Sequence, residues 1–235
     1  MESWVESELK NSNLGDKRID KRNAKIMQAL SEEPGATFAE AFDSSADLKA
    51  AYRFFDSDLV TEETIFNPHN QVTIKRIKQC PVVLIPTDSS SLNYSSKPSI
   101  EGTGLLTKKS HRGLWIHASI AITPDRLNLG QVYSKFWARE EFNNRTDHET
   151  YKDPIESKET YCWIEAYQAA NSIAKGCPDT HIISLMDREA DFAELFEYIA
   201  QERVEQENTA NIIVRAQHDR NLIDIEHPKS KKKKN

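Results

Sequence analysis

The chain has little cysteine, little glycine and no long apolar run. Its three cysteines, Cys80, Cys162 and Cys177, are widely spaced and odd in number, so neither a disulfide framework nor a zinc knuckle is supported. Seven glycines in 235 residues exclude a collagen-like repeat. Unbroken apolar stretches such as Val82–Ile85 fall far short of the ~20 residues that a membrane-spanning helix needs. The opening residues, from Met1 to Glu8, are acidic and lack the basic-then-apolar run of a secretory signal. A basic excess is missing too: the net charge is −6, with 38% hydrophobic and 29% charged residues. These absences leave a cytoplasmic globular protein with no membrane partner, long enough for one large domain or two unequal ones.

What is present is a strongly uneven charge distribution. Residues 10–25 hold Lys10, Lys17, Arg18, Lys21, Arg22 and Lys25 against Asp16 and Asp20. Residues 75–112 hold Lys75, Arg76, Lys78, Lys97, Lys108, Lys109 and Arg112 against Asp88 and Glu101. Residues 138–207 are predominantly acidic. With a screening length of about 8 Å at physiological salt, a polyanion responds to local patches more than to the total. An acidic balance therefore leaves DNA binding open, although on charge alone both patches read equally well as solvated faces. The run from Lys229 to Asn235 has nothing apolar to bury and reads as a disordered basic tail. A lysine run also implies an adenine-rich coding stretch, where a slipped frame could end a reading frame early.

Hydrophobic spacing divides the rest. Residues 1–78 read as a small helical domain. Asp16 is placed to cap a helix starting at Lys17, with Ile19, Asn23, Ile26 and Leu30 along one seam. Arg18, Lys21, Arg22 and Lys25 form a basic stripe on the neighbouring face. Helical segments are predicted at Thr37–Phe42 and Asp47–Phe55, the latter with Leu48, Ala51, Tyr52 and Phe55 toward a core. Thr61 opens another helix, and Asn67-Pro68 predicts a restart before Val72–Ile77. Residues 79–226 read as α/β: a buried strand at Val82–Ile85 ending at Thr87-Asp88, and a polar loop at Lys97–Gly113. A hairpin follows, made by Trp115–Thr123 and Leu127–Phe136, and then a helix at Ser157–Ala174 with a seam of Trp163, Ala166, Tyr167, Ala170 and Ala174. Ile182–Met186, a helix over Ala190–Arg203 and a third buried strand at Ile212–Val214 complete a mixed sheet.

Two of these strands end in an aspartate, Asp88 and Asp187. Sites in α/β sheets form beyond the carboxyl ends of strands, where side chains leave the core but stay rigidly held. If the two strands are neighbours, both carboxylates reach one hard divalent cation, for which oxygen ligands are preferred. Aspartate after a strand is also a common turn residue or helix cap, and spacing alone leaves the two readings open. Glu189 and Asp191 read as the first turn of a helix, and His69 as a surface or capping histidine.

The segment from Asp88 to Tyr94 (Asp-Ser-Ser-Ser-Leu-Asn-Tyr) resembles the first-aspartate motif of bacterial insertion-sequence transposases with an Asp-Asp-Glu triad. Asp187-Arg-Glu-Ala-Asp191 resembles their second-aspartate motif. The resemblance is to the insertion-sequence-four group (Tn-five transposase-like), and it runs from about Leu14 to Arg215. Leu14–Arg18 and Ala51–Phe55 resemble the group's DNA-binding region. Gly113–His117, Trp137–Arg139, Lys158-Glu159 with Trp163, and Ile213–Arg215 resemble its core segments. It implies a ribonuclease-H-like mixed sheet, here incomplete, preceded by a helical domain that binds double-stranded DNA at transposon ends. It also implies Asp88 and Asp187 as catalytic ligands of Mg²⁺ or Mn²⁺, with Arg18 and Arg22 at DNA-contacting positions. Lys21, Lys25, Lys108, Lys109 and Arg112 join the DNA-binding set on charge and position.

One departure stands out. The family's third carboxylate lies in a Tyr-x-x-Arg-x-x-x-Glu motif, and no tyrosine here has an arginine three places later. The expectation is a C-terminally truncated core without the glutamate helix or the region through which the family forms homodimers. Such a chain would bind transposon ends without cutting them alone, or persist as a DNA-binding remnant or regulator. One face of its sheet would be left apolar and uncovered.

Overall fold

The computed structural model describes residues 3–97, 99–107, 111–139 and 152–217. The expected basic tail at 227–235, and with it Lys108 and Lys109, lies outside the described residues. Helices α1 (Trp4–Glu8), α2 (Lys17–Glu32), α3 (Ser45–Phe55) and α4 (Glu62–Ile77) come first. Strands β1 (Val82–Asn93), β2 (Gly104–Leu105), β3 (Arg112–Ile122) and β4 (Asn128–Trp137) follow, then α5 (Tyr161–Gly176), β5 (His181–Met186), α6 (Ala193–Glu205) and β6 (Asn211–Val214). Short 3₁₀ turns at Ile155–Ser157 and Arg188–Ala190 lead into α5 and α6. No described helix is long and apolar enough to cross a membrane.

The helix starts follow local chemistry. The Asp16 side chain accepts the Arg18 N–H at 2.8 Å and opens α2 as its position predicts. Ser3 and Glu6 form a reciprocal capping box at α1, a helix that the polar N-terminal sequence did not announce. Three helical expectations are corrected. Residues 37–42 make turns rather than a helix. The helix from Thr61 runs through Pro68 without a restart; the lost backbone hydrogen bond is tolerated because Val72, Thr73 and Ile77 beyond it are buried. On α3 the buried pair is Ala51 and Phe54, while Tyr52 and Phe55 are half-exposed, each laid against Phe38. On α2, Asn23 and Ile26 are buried, but Leu30 at the end of the seam is exposed.

Two cores result. A small one gathers Leu14, Ile26, Ala51 and Phe54, with Phe38, Phe42 and Ile65 packed against it. The larger one lies between the sheet and helices α5 and α6 and includes Val83, Ile85, Ile182, Met186, Trp163, Tyr167, Leu195 and Ile199. Helix α4 bridges them: Ile65 packs on the first and Ile77 belongs to the second. A polar clamp reinforces the bridge. Buried Glu8 on α1 pairs with His69 and Arg76 on α4. The Arg76 guanidinium donates to the Leu129 carbonyl at 3.0 Å, and His69 Nε2 accepts the Gln131 N–H at 2.9 Å. His69 is thus a tether between helix and strand, not a surface or capping residue.

The sheet runs β2-β3-β1-β5-β6, with β4 also paired to β3. β1 pairs parallel with β5 and antiparallel with β3, β5 pairs parallel with β6, and β3–β4 is the expected antiparallel hairpin. Its turn places Arg126 at φ 74°. The expectation of strands buried on both faces fails for a specific reason: α5 and α6 cover one face only. Val83, Ile85 and Thr87 alternate onto the covered face, whereas Leu84, Ile183 and Leu185 are only partly buried on the other and Ile213 is 60% exposed. β1 also runs past Thr87 to Asn93, because its antiparallel partner continues beneath the serine run.

Gly130 shows how closely α4 lies on β4. At φ +138°, a Cβ here would collide with Thr73 Oγ1 and the His69 ring. Gly130→Ala is expected to lower the unfolding free energy by about 2 kcal/mol or more, measured by urea denaturation; a loss below about 0.5 kcal/mol would contradict this packing.

Candidate functional site

The last parallel pair between β1 and β5 is Thr87 with Met186. One step further stand Asp88 and Asp187. Since Thr87 and Met186 point into the covered core, strict alternation turns both aspartates to the opposite, open face. Adjacent strands lie about 4.8 Å apart, which sets the two residues next to each other where the β1–β5 pairing ends. The strand adjacency on which the shared-cation reading depends is present, and Asp187 also caps the 3₁₀ turn that follows it.

Each carboxylate is held by one oxygen. Asp88 Oδ1 accepts the Ser89 N–H at 2.8 Å, and Asp187 Oδ1 accepts the Glu189 N–H at 2.7 Å, opening the 3₁₀ turn. Neither forms an ion pair among the described residues. Glu189 lies within their field: burial first, then the charges of Asp187 and Asp88, raise its carboxyl above the ordinary range, with Arg188 opposing. Two adjacent carboxylates without an internal counter-charge, each with an oxygen to spare, are a donor set suited to a hard divalent cation. Among the described residues, no group of three or more His, Cys, Asp or Glu side chains could hold a metal ion.

Asp191 has a different task. It is buried, and its Oδ2 accepts the Gln217 N–H at 2.6 Å, tying the chain leaving β6 back to the turn after β5. Glu189 falls in the first turn of the 3₁₀ helix Arg188–Ala190, as expected, whereas Asp191 is the C-cap of that turn; α6 itself starts at Ala193. Beneath the pair, on the covered face, Ser89 Oγ and His117 Nδ1 are 2.7 Å apart. His117 is fully buried and packs edge-to-face on Trp163 at 4.5 Å. Desolvation lowers its pKa to about 4, against the raising effect of Glu165 and Asp187. Beside it Lys135 pairs with Glu165, which also accepts from the Tyr133 hydroxyl at 3.3 Å. Burial pushes the Cys162 thiol up to about 12, which leaves it unreactive. In the sequence His117 stood out only within the Gly113–His117 segment; its burial and its link to Ser89 depend on strand register, which the sequence does not display.

The basic residues fall in separate places. Arg18, Lys21 and Lys25 are exposed on α2, and Arg22 is partly buried beside them. Arg18 forks onto Asp16, which draws the Asp16 carboxyl down. Arg22 and Lys25 line a groove of about 190 Å³ together with Phe42, Asp43 and Asp47. Arg112 opens β3, where its guanidinium donates to the Thr103 carbonyl at 2.8 Å.

Residues 1–60 match a protein-family model described as transposase DNA-binding. The match supports a transposase-like, DNA-binding protein. The match contains α1 to α3 and the whole basic stripe of α2, so the transposase DNA-binding region coincides with the small helical core and the clamp residue Glu8.

His117 gives this site a pH signature. Its folded pKa lies below the unfolded value of about 6.5, so the unfolded chain binds the proton more readily between pH 6.5 and 4. The stabilisation is complete above that window and is lost as pH falls through it, by up to about 3 kcal/mol. Urea melts from pH 7 to 4 should show this loss, and His117→Phe should remove that component.

Proposed function

We propose that this chain is a transposase of the insertion-sequence-four group by descent. On this reading α2 and its neighbours bind double-stranded DNA at transposon ends. The sheet is a ribonuclease-H-like core in which Asp88 and Asp187 hold Mg²⁺ or Mn²⁺. One observation carries the reading: two aspartates, Asp88 and Asp187, stand next to each other where the parallel pairing of β1 with β5 ends, in a chain whose residues 1–60 match a transposase DNA-binding model. The mixed sheet, with an antiparallel hairpin on one flank and parallel strands on the other, supports the fold assignment.

When bound, a divalent cation supplies Lewis acidity toward a phosphodiester and activates water or a 3′-hydroxyl. The chain's own residues supply the rest. The Ser89 and Glu189 amides orient the two carboxylates, and the open sheet face leaves room for a duplex. Arg18, Lys21, Arg22 and Lys25 neutralise phosphates and set the register of the DNA without reading its bases. We read this chain alone as binding without cutting, because two-metal chemistry needs more carboxylates than the two aspartates that neighbour each other among the described residues. In that state it would act as a DNA-binding remnant or regulator.

Replacing Lys21, Arg22 and Lys25 with alanine should weaken binding to end-sequence duplex tenfold or more in gel-shift titrations. It should also flatten the dependence of log K on log salt by about 0.9 per phosphate contact removed. Binding unchanged in both respects would reject α2 as the DNA-contacting element. Incubation of end-sequence duplex with Mg²⁺ should leave it intact; a Mg²⁺-dependent nick abolished by Asp88→Ala would show instead that this chain cuts.

A further inference from the structure

Asp88 occupies an exposed position on its strand. β1 keeps β3 on one side as far as Asn93, but its recorded pairing with β5 on the other side ends at Thr87. From Asp88 onward one backbone edge has no strand partner among the described residues, and a carboxylate there needs some other means of holding its place. The two flanking residues supply it. Thr87 Oγ1 lies 2.7 Å from Ser119 Oγ, and Ser89 Oγ lies 2.7 Å from His117 Nδ1. Both links run beneath the sheet on its covered face, opposite to the Asp88 carboxylate, and both end on β3, the strand that continues alongside.

His117 anchors the second link in the core. Its ring packs edge-to-face on Trp163 of α5, and its Nε2 is buried without a hydrogen-bond partner among the described residues. A phenylalanine would fill a similar volume and leave no polar atom unpaired. Packing alone therefore does not account for an imidazole at this position, whereas a bond to the Ser89 hydroxyl does. Burial keeps the ring neutral above about pH 5, so the link persists at physiological pH.

We propose that His117 is a positioning residue: acting through Ser89, and together with the Ser119–Thr87 link, it pins β1 on both sides of Asp88 and so fixes where that carboxylate sits. The purpose of the pin rests on reading Asp88 as a metal ligand, while the pin itself rests on the hydrogen bonds alone. Groups that orient a ligand typically change metal affinity 10- to 100-fold when removed.

Two readouts on the full chain separate these levels. In hydrogen-exchange mass spectrometry, His117→Phe and Ser89→Ala should each speed exchange of the amides of residues 88–90 about tenfold, with far-UV circular dichroism unchanged. The double variant should be no faster than either single one, because both remove the same link. His117→Gln, which keeps a polar side chain facing Ser89, should recover part of the protection. Mn²⁺ binding followed by electron paramagnetic resonance should weaken about tenfold in His117→Phe and vanish in Asp88→Asn. Unchanged exchange in Ser89→Ala, or additive effects in the double variant, would overturn the pin; if His117→Phe fails to fold, Ser89→Ala decides. Faster exchange with no Mn²⁺ bound by the parent chain would keep the pin and reject the metal reading. Loss of Mn²⁺ in Asp88→Asn, with undiminished binding in His117→Phe, would overturn the positioning role.

Discussion

The parallel pairing of β1 with β5 is the constraint on which the candidate site depends. Six consecutive residue pairs, from Val82 with His181 to Thr87 with Met186, lock the two strands in register. The side-chain period of a strand is two residues, so a slip by one would send Asp187 to the covered face and leave Asp88 alone on the other. The register is enforced from below. Val83, Ile85, Ile182 and Met186 all enter the core shared with Trp163 and Tyr167, and a slipped strand would expose its apolar set while burying its polar one. The carboxylate geometry is thus a consequence of hydrophobic packing on the face that the carboxylates avoid.

Much of this arrangement was legible because the signals were local. The β-branched runs at Val82–Ile85 and Ile182–Met186, the Pro124-Asp125-Arg126 turn and the Trp163–Ala174 seam each specify their element from neighbouring residues. The five seam residues are all buried in α5. The pairing of Asp88 with Asp187 followed once the two strands were taken as neighbours. The misses have nonlocal causes. The serine run after Asp88 resembles a loop, yet it is strand because β3 lies beside it. His69 looked like a surface residue, since its partners Glu8 and Gln131 are about sixty positions away in either direction. Ile212–Val214 suggested a doubly covered strand, but β6 is the last strand of the recorded order.

The covered and open faces of the sheet divide its chemistry. The covered face carries the apolar core together with a file of polar links, Thr87–Ser119 and Ser89–His117, whose members are largely withdrawn from water. In a low-dielectric setting such bonds are stiff and costly to leave half-made. The other face, which no described helix covers, carries Asp88 and Asp187 among partly buried aliphatic side chains. Polar links lie on one side and the two carboxylates on the other, with the thickness of one strand between them.

The Glu8 clamp has a bearing on how the molecule divides. Residues 1–60 are the span that matches a DNA-binding module, yet Glu8 within that span supplies the carboxylate that meets Arg76 and His69, which in turn grip the backbone of β4. Excising the module would leave the Arg76 guanidinium without its counter-ion and the His69 ring without its Nδ1 partner, and the hairpin they hold would lose part of its fastening. The recognition unit and the sheet are therefore not separable cassettes. Any displacement of α1 relative to α4 would be felt through this joint by β4 and, through the hairpin, by β3.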